Sequence, residues 1–528
     1  MSLPQTNGAI SGSGAARASG GASGETSAKG LRPGTVGLLG SVVIGISCIA
    51  PAYTLSGALG PTVAQVAQHL PAIFLVGFLP MLLVAFGYRE LNRALPDSGT
   101  SFTWGVRAFG PWIGWMSGWG LVAATVVVLS NLAGIAVDFF YLMLSQIFAN
   151  ESIATWGKNP FVNVATCLAF MALATMISYR DMQTTQKLQY VLVGFQVLVL
   201  LVFAGVAFWR ASNGTAEASV PISLEWFNPM GVESFSAFAA GLSLSIFIFW
   251  GWDVTLTMSE ETTGGNSTPG KAATLTVVII VLLYLIVSVA SMAFAGFGTE
   301  GTGLANADIQ ENVFFALAGP VLGPVAILMS IAVLSSSFAS LQSTFVSPAR
   351  TLLAMGHYGA ISPKFARVSP RFFTPGYATI VSSVVASVFY AVMRFVSEAV
   401  LWDTITTLGM LICFYYGLTA FSAVWYFRKQ WFSSARNAVF QFAFPLVGAV
   451  ILAVLFVKTL VDSMDPAYGS GSEVFGMGLV FVLGIVILVV GIVLMVVNAA
   501  RRPAFFRGET IPVGVAGDPG ESRVGLAE

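Results

Sequence analysis

Hydrophobic residues in this chain gather in long blocks separated by short polar stretches. A helix needs about 20 apolar residues to cross the hydrocarbon core of a bilayer. Runs of that order recur at 34–62, 70–88, 112–148, 161–179, 188–209, 234–259, 272–297, 312–346, 377–396, 400–427, 437–460 and 474–499. Twelve membrane-crossing helices are therefore expected. The runs 112–148 and 312–346 exceed what a bilayer requires and are expected to tilt or to extend beyond it.

Two of these blocks are interrupted at depth. The sixth contains FIFWGWDVTLTMSEET, Phe247 to Thr262, with a glycine, an aspartate and two tryptophans in mid-run. An aspartate at the bilayer centre costs about 2.5–3.5 kcal/mol on insertion scales, so it should face protein or water. Gly251 lets the backbone open, which at membrane depth is tolerated only where it lines a cavity. The first block reads GISCIAPAYTLSG from Gly45 to Gly57, and Pro51 removes a backbone donor and clashes with the preceding turn. Each break falls about 15 residues, or roughly 22 Å of helix, into its block. Spans one and six hold corresponding places in two five-helix halves of opposite direction, the pattern of transporters built from inverted repeats. The expected layout is a first repeat over 34–210, a second over 234–427 and two further helices over 437–500. Segments 1–33 and 501–528 should be flexible tails: the first is rich in Gly, Ser and Ala and has no apolar core that would make it a signal peptide.

Composition narrows the class. Of 528 residues 56% are hydrophobic and only 9% charged, against about 25% charged in an ordinary globular protein, and the mean hydropathy is +0.82. A soluble enzyme is excluded. Cys48, Cys167 and Cys413 all lie in apolar runs, and His69 and His357 are far apart. No disulfide framework, metal spacing or catalytic constellation is suggested, so no enzyme activity, cofactor or metal is expected, and no nucleic-acid partner. With the N-terminus inside, 20 of the 24 Lys and Arg fall on cytoplasmic segments, leaving Lys158, Arg210, Arg394 and Lys458 outside. This asymmetry predicts a multi-pass protein of the cell membrane with both termini cytoplasmic.

Three segments carry a family resemblance: WGWDVTLTMSEET (250–262), PARTLLAMGHYGAISPKF (348–365) and LPDSGTSFTWGVRAFGPWIGWMSGW (95–119). In this order and spacing the chain resembles the amino acid–polyamine–organocation permease superfamily over roughly residues 31–430. The resemblance implies an all-α LeuT-type fold of five plus five inverted helices, with helices 1 and 6 broken and two C-terminal helices added. It also implies a secondary transporter for a small amino-bearing solute, amino acids first and polyamines or other amines second. The scaffold could also serve a channel or a non-transporting sensor.

Two departures from the family pattern bear on mechanism. A Gly-rich first break usually offers bare amides to a carboxylate; here it reads Ser47, Cys48, Ile49, Ala50, Pro51, Ala52, and Pro51 has no N–H. A weaker carboxylate clamp is expected. Some proton-coupled relatives carry a lysine in span five where this chain is expected to place Gln196, which cannot titrate. Ser335, Ser336 and Ser337 are candidate sodium ligands, although hydroxyls in such helices more often bond to backbone. The coupling ion, proton or sodium, stays open.

The candidate substrate site is therefore Ser47, Cys48, Ile49, Ala50 and Tyr53 on the first break with Phe249, Trp250, Gly251, Trp252 and Asp253 on the second. One tryptophan face should line the site, where it suits an ammonium group. Asp253 is expected either to meet the solute or a proton, or to cap the second half of span six. Gln196, Ser336 and Ser337 are coupling candidates. Glu260 and Glu261 are expected either to be solvated charges or, with Lys271 and Arg350 as partners, to form an inner gate. Asp138 should lie in water near the outer end of span three.

Overall fold

A computed structural model describes residues 27–180, 182–396, 400–468 and 470–516 of the chain. It is all-helical apart from a two-strand hairpin at Glu473–Val474 and Met477–Gly478. The order is α1 (Leu38–Ile49), α2 (Pro51–Val66), α3 (Leu70–Ala94), α4 (Ser101–Phe109), α5 (Pro111–Ile147), α6 (Pro160–Ser178) and α7 (Met182–Ser212). Then follow α8 (Phe235–Ile248), α9 (Val254–Thr257), α10 (Thr268–Ala295), α11 (Val313–Leu322), α12 (Ile327–Thr344) and α13 (Val346–His357). The last are α14 (Gly376–Val396), α15 (Val400–Tyr426), α16 (Ala435–Asn437), α17 (Phe444–Asp462), α18 (Leu479–Arg501) and α19 (Pro503–Phe506).

Among the described residues ten helical segments are long and apolar enough to cross a membrane, counting 38–94 with its three helices as one. Helices dominate because lipid offers no partner to a backbone N–H or C=O, so each crossing segment must pair its own. Burial sorts them. The most apolar window of α5 is wholly inside the bundle, whereas only 17% of that of α18 is. Large apolar side chains such as Leu39, Phe161 and Val191 point outward, while Asp253, Gln189, Gln196 and a series of serines are buried inside. This inside-out polarity is that of a bundle solvated by lipid.

Three expectations need correction. The run 312–346 is not one long helix. Gly323, at φ +59, and Pro324 break it into α11 and α12, because proline cannot continue the preceding helix and glycine supplies the left-handed turn. Residues 27–33 are seated rather than flexible: Lys29 and Leu31 are buried, and Thr35 and Val36 both donate to the Glu261 carbonyl, at 2.9 and 3.2 Å. Residues 501–516 are likewise ordered. Phe505, Phe506, Ile511, Val515 and Ala516 are buried, and Gly514 and Ala516 donate to the carbonyls of Arg107 and Tyr426. Apolar residues just past a helix end have uncovered protein surface to bury against, which the Gly-rich composition of the tails obscured. The calls on residues 1–26 and 517–528 lie outside the described residues.

Candidate substrate site

Proline sets the geometry of the first interruption. It disfavours the α region for the residue before it; Ala50 swings to φ +56, ψ +65, and its N–H closes on the carbonyls of Ile46 and Ser47. Helix α2 then starts at Pro51. The amides there are largely taken: Tyr53 N–H donates to Ser336 Oγ at 3.3 Å and Thr54 N–H to the Ala50 carbonyl. At most the Ala52 N–H remains. The Ile49 carbonyl accepts from Thr54 Oγ1 at 2.6 Å, and the Cys48 carbonyl from Ser340 Oγ at 2.8 Å. Cys48 Sγ lies 3.4 Å from Thr344 Oγ1. The Ser47 hydroxyl donates to Gln189 Oε1 and lies 3.2 Å from Ser343 Oγ. Tyr53 Oη donates to Asn131, which in turn donates to Thr404 Oγ1 at 2.9 Å.

The second interruption runs between α8 and α9. Gly251 sits at φ +109, a conformation that side chains rarely adopt, and a Cβ there would meet Cys48 Sγ at 3.1 Å and the Cys48 carbonyl carbon at 3.2 Å. The two breaks therefore touch, backbone against backbone. Phe249 packs against Phe78 and Tyr284. Trp250 donates its indole N–H to Tyr415 Oη. Trp252 lies fully buried against Tyr88 and Tyr416, its indole N–H without a partner among the described residues.

Asp253 is the centre of this second break. It stands at the start of α9, yet its side chain makes no cap. Both oxygens turn instead to α15: Tyr416 Oη donates to Oδ1 at 2.8 Å and Tyr415 Oη to Oδ2 at 3.3 Å. The capping role set against solute binding in the sequence is thus not adopted, because two phenols reach the carboxylate from a neighbouring helix.

The coupling candidates separate. Gln196 is fully buried with neither amide atom partnered among the described residues. The glutamine that does join the first break is Gln189, two turns earlier on α7. Besides accepting from Ser47, it donates to the Ala339 carbonyl at 3.0 Å and to Gln342 Oε1 at 2.8 Å. On α12, Ser335 and Ser337 bond their own helix, and only Ser336 reaches Tyr53. The hydroxyls that line the first break are Ser340, Ser343 and Thr344, one to two turns further on. Their spacing from Ser336 (i, i+4, i+7, i+8) was a readable helical stripe in the sequence. No cluster of three or more His, Cys, Asp or Glu able to hold a metal occurs among the described residues.

Ionic contacts gather at the end of the bundle that carries residues 27–36. Arg350 holds Glu261 with two bonds, Nε to Oε2 at 2.6 Å and Nη2 to Oε1 at 2.9 Å. Glu260 pairs with Lys29 at 2.6 Å, not with Lys271, which is exposed. Lys29 also meets Asp97 at 2.7 Å and lies 5.2 Å from the Tyr358 ring centre, and Tyr358 Oη donates to Asp97 at 2.7 Å. Burial works against both charges, but the pairing outweighs it. Lys29 is held above its ordinary pKa by Asp97 and Glu260, and Asp97 below its own by Lys29, Tyr358 and the Gly99 N–H. Sequence reading missed Lys29 because it sits in a tail with no apolar pattern. Asp138 is half-buried rather than free in water.

A family model described as amino acid permease matches residues 34–486. The low-affinity putrescine importer PlaP of Escherichia coli (strain K12) is 23% identical over 436 residues, covering 81% of this chain and 89% of the relative. The branched-chain amino acid permease BcaP of Lactococcus lactis subsp. cremoris (strain MG1363) is 22% identical over 450 residues, covering 82% and 90%. Among solved structures, that of MhsT in complex with L-phenylalanine superimposes with a TM-score of 0.58 at 14% identity, covering 80% of this chain and 98% of MhsT. That likeness is one of fold, the LeuT type.

Proposed function

The chain belongs to the amino acid permease family, and on that premise we propose that it carries a small organic amine across the cell membrane by alternating access. It is a multi-pass membrane protein and a secondary transporter, as its relatives are. The solute, the twelve-helix count, the two five-helix repeats (34–210 and 234–427), the role of the interruptions as discontinuous membrane helices and the cytoplasmic placement of both termini are our reading.

One observation carries the choice of solute. Among the described residues, Asp253 is a buried carboxylate whose side chain is met by two neutral phenols and no cation, so an incoming ammonium would be its first cation. The opposite break argues the same way. Pro51 has no N–H and those of Tyr53 and Thr54 are engaged, which leaves little to hold a solute carboxylate. A putrescine importer among the relatives supports the amine reading; branched-chain amino acid permeases among them favour an amino acid as the second reading.

In this mechanism the two breaks, which touch at Cys48 and Gly251, would part to admit the solute, its ammonium toward Asp253 and the Trp250 or Trp252 face. The Lys29 and Arg350 ion pairs would close the cytoplasmic end while the site is reached from outside, and separate when one bundle rocks against the other. Uptake of labelled putrescine and of a labelled amino-acid mixture into proteoliposomes, with and without sodium, tests the proposal. Saturable putrescine uptake with counterflow is expected, and the sodium arm reads the coupling ion. Uptake of amino acids alone would overturn the amine reading, and flux without counterflow would favour a channel.

A further inference from the structure

The chain after α18 does not leave the protein. Pro503 cannot continue α18, and at Arg502 (φ −138, ψ 57) the backbone turns and folds back onto the bundle. Phe505, Phe506, Ile511, Val515 and Ala516 are buried there. Phe505 stacks on Phe102 of α4 with ring centres 5.7 Å apart, and Phe506 meets Trp112 of α5 at 4.8 Å. Both join an apolar cluster with Met355 of α13 and with Ile361 just beyond it.

The segment also closes two helix ends. The last carbonyls of a helix have no partner within it. Gly514 N–H donates to the Arg107 carbonyl, in the last turn of α4, and Ala516 N–H to that of Tyr426, the last residue of α15, each at 3.0 Å. The Arg107 guanidinium returns a bond to the Pro512 carbonyl at 3.3 Å. One short segment thus ties together α4, α5, α13 and α15.

What these helices carry gives the tie its consequence. Asp97, just before α4, and Tyr358, just past α13, are among the residues on which Lys29 docks. Phe102, under Phe505, lies against Tyr358 with ring centres 6.5 Å apart. Helix α15 brings Tyr415 and Tyr416 to Asp253. Because the docking surface is made jointly by several helices, displacing them relative to one another loses contacts to the segment, and such differential binding shifts a population between states. On the orientation and alternating access of the proposed function, we propose that residues 503–516 are a strap that holds the cytoplasmic end closed, and that undocking them opens it. The hold is light, a few apolar side chains and hydrogen bonds near a chain end, the kind of element that opens locally without global unfolding.

The test reads both ends of the full-length protein in membrane vesicles of known sidedness. Ser259, buried next to Glu260 with no partner for its hydroxyl among the described residues, becomes the inner reporter as Ser259→Cys. Ala240, half-buried in a crevice at the opposite end of the bundle, becomes the outer reporter as Ala240→Cys. Labelling by a membrane-impermeant methanethiosulfonate is corrected for that of the native Cys48, Cys167 and Cys413, all buried. Gly514→Pro combined with Ala516→Pro removes both backbone donors of the strap. Inner labelling from the cytoplasmic side should rise about tenfold, the weight of one to two neutral hydrogen bonds, while outer labelling falls. A segment that only stabilised the fold would, once loosened, speed labelling at both ends; that result, or an unchanged inner rate, would overturn the proposal. Should the double proline variant fail to fold, deletion of residues 512–528 gives the same readout. A raised inner rate with the outer rate unchanged would uphold the strap and overturn alternating access. Labelling of Ser259→Cys from the opposite side alone, still raised by the proline pair, would reverse the proposed orientation and leave the strap's grip on its own end intact.

Discussion

The two interruptions face each other across van der Waals distance, yet they are held in opposite ways. The first is neutral and nearly saturated. Ser47 donates to Gln189 on α7 and lies against Ser343 on α12, the Tyr53 N–H donates to Ser336, and the Cys48 carbonyl accepts from Ser340. The second is charged and under-satisfied. Among the described residues the Asp253 carboxylate meets phenols from α15 and no cation, and the Trp252 indole has no partner. A site whose donors and acceptors are already matched gives little differential interaction to a ligand. One that buries a carboxylate without a cation gains most when a cation arrives. On the proposed function, recognition should therefore be concentrated at the second break, with the first acting as a wall.

Asp253→Asn attacks that asymmetry most directly. Uptake is expected to fall by about two orders of magnitude, the usual cost of losing one partner of a buried charged contact, with membrane expression unchanged; wild-type uptake would place recognition elsewhere. Next comes Glu261→Gln, just beyond the second break. It leaves the bidentate Arg350 buried without its anion, at a cost of about 3–5 kcal/mol in stability. A lowered thermal midpoint in detergent, restored by adding Arg350→Met, is the expected result. Tyr416→Phe removes one donor from Asp253 while keeping the ring against Trp252, and about 1.5–3 kcal/mol is at stake for a bond to a charged group. The half-saturating solute concentration should change about tenfold or more; no change would mean that Asp253 is not held from α15. Smallest should be Gln196→Leu. Both amide atoms there lack a described partner, so stability should hold or rise by about 1 kcal/mol. Lost uptake in that variant would restore Gln196 as a coupling position. By contrast Gln189→Leu should loosen the first break.

How legible was this in the sequence? Run lengths and interruptions placed the helices well, because lipid imposes helix length and Pro51 and Gly251 impose local backbone. Where runs abutted, hydropathy had no resolution: α11 and α12 read as one block, although Gly323 and Pro324 were signals that could have divided them. At the candidate site, residue types pointed to Asp253, and to Arg350 as a partner for Glu260 or Glu261, but not to the groups that hold Asp253 and Ser47. Tyr415, Tyr416 and Gln189 sit in apolar helices where one tyrosine or glutamine looks like another, and only tertiary contact distinguishes Gln189 from Gln196. Glu260 was visible, whereas Lys29, 231 residues away, was hidden in a tail whose composition reads as disorder.

That lysine also has a place in time. Lys29 leaves the ribosome before any of its partners: Asp97 follows 68 residues later, Glu260 follows 231 residues later, and Tyr358 later still. Chains are made at roughly 5–20 residues per second, so the amino-terminal segment waits for many seconds, through most of membrane insertion, before its pocket exists. It can settle only once α13 has been made, so its docking reports that this end of the bundle has been assembled. A protease site engineered just before Lys29 would be open on nascent chains that end before α13 and closed on those that extend past Tyr358, making this segment a clock for assembly.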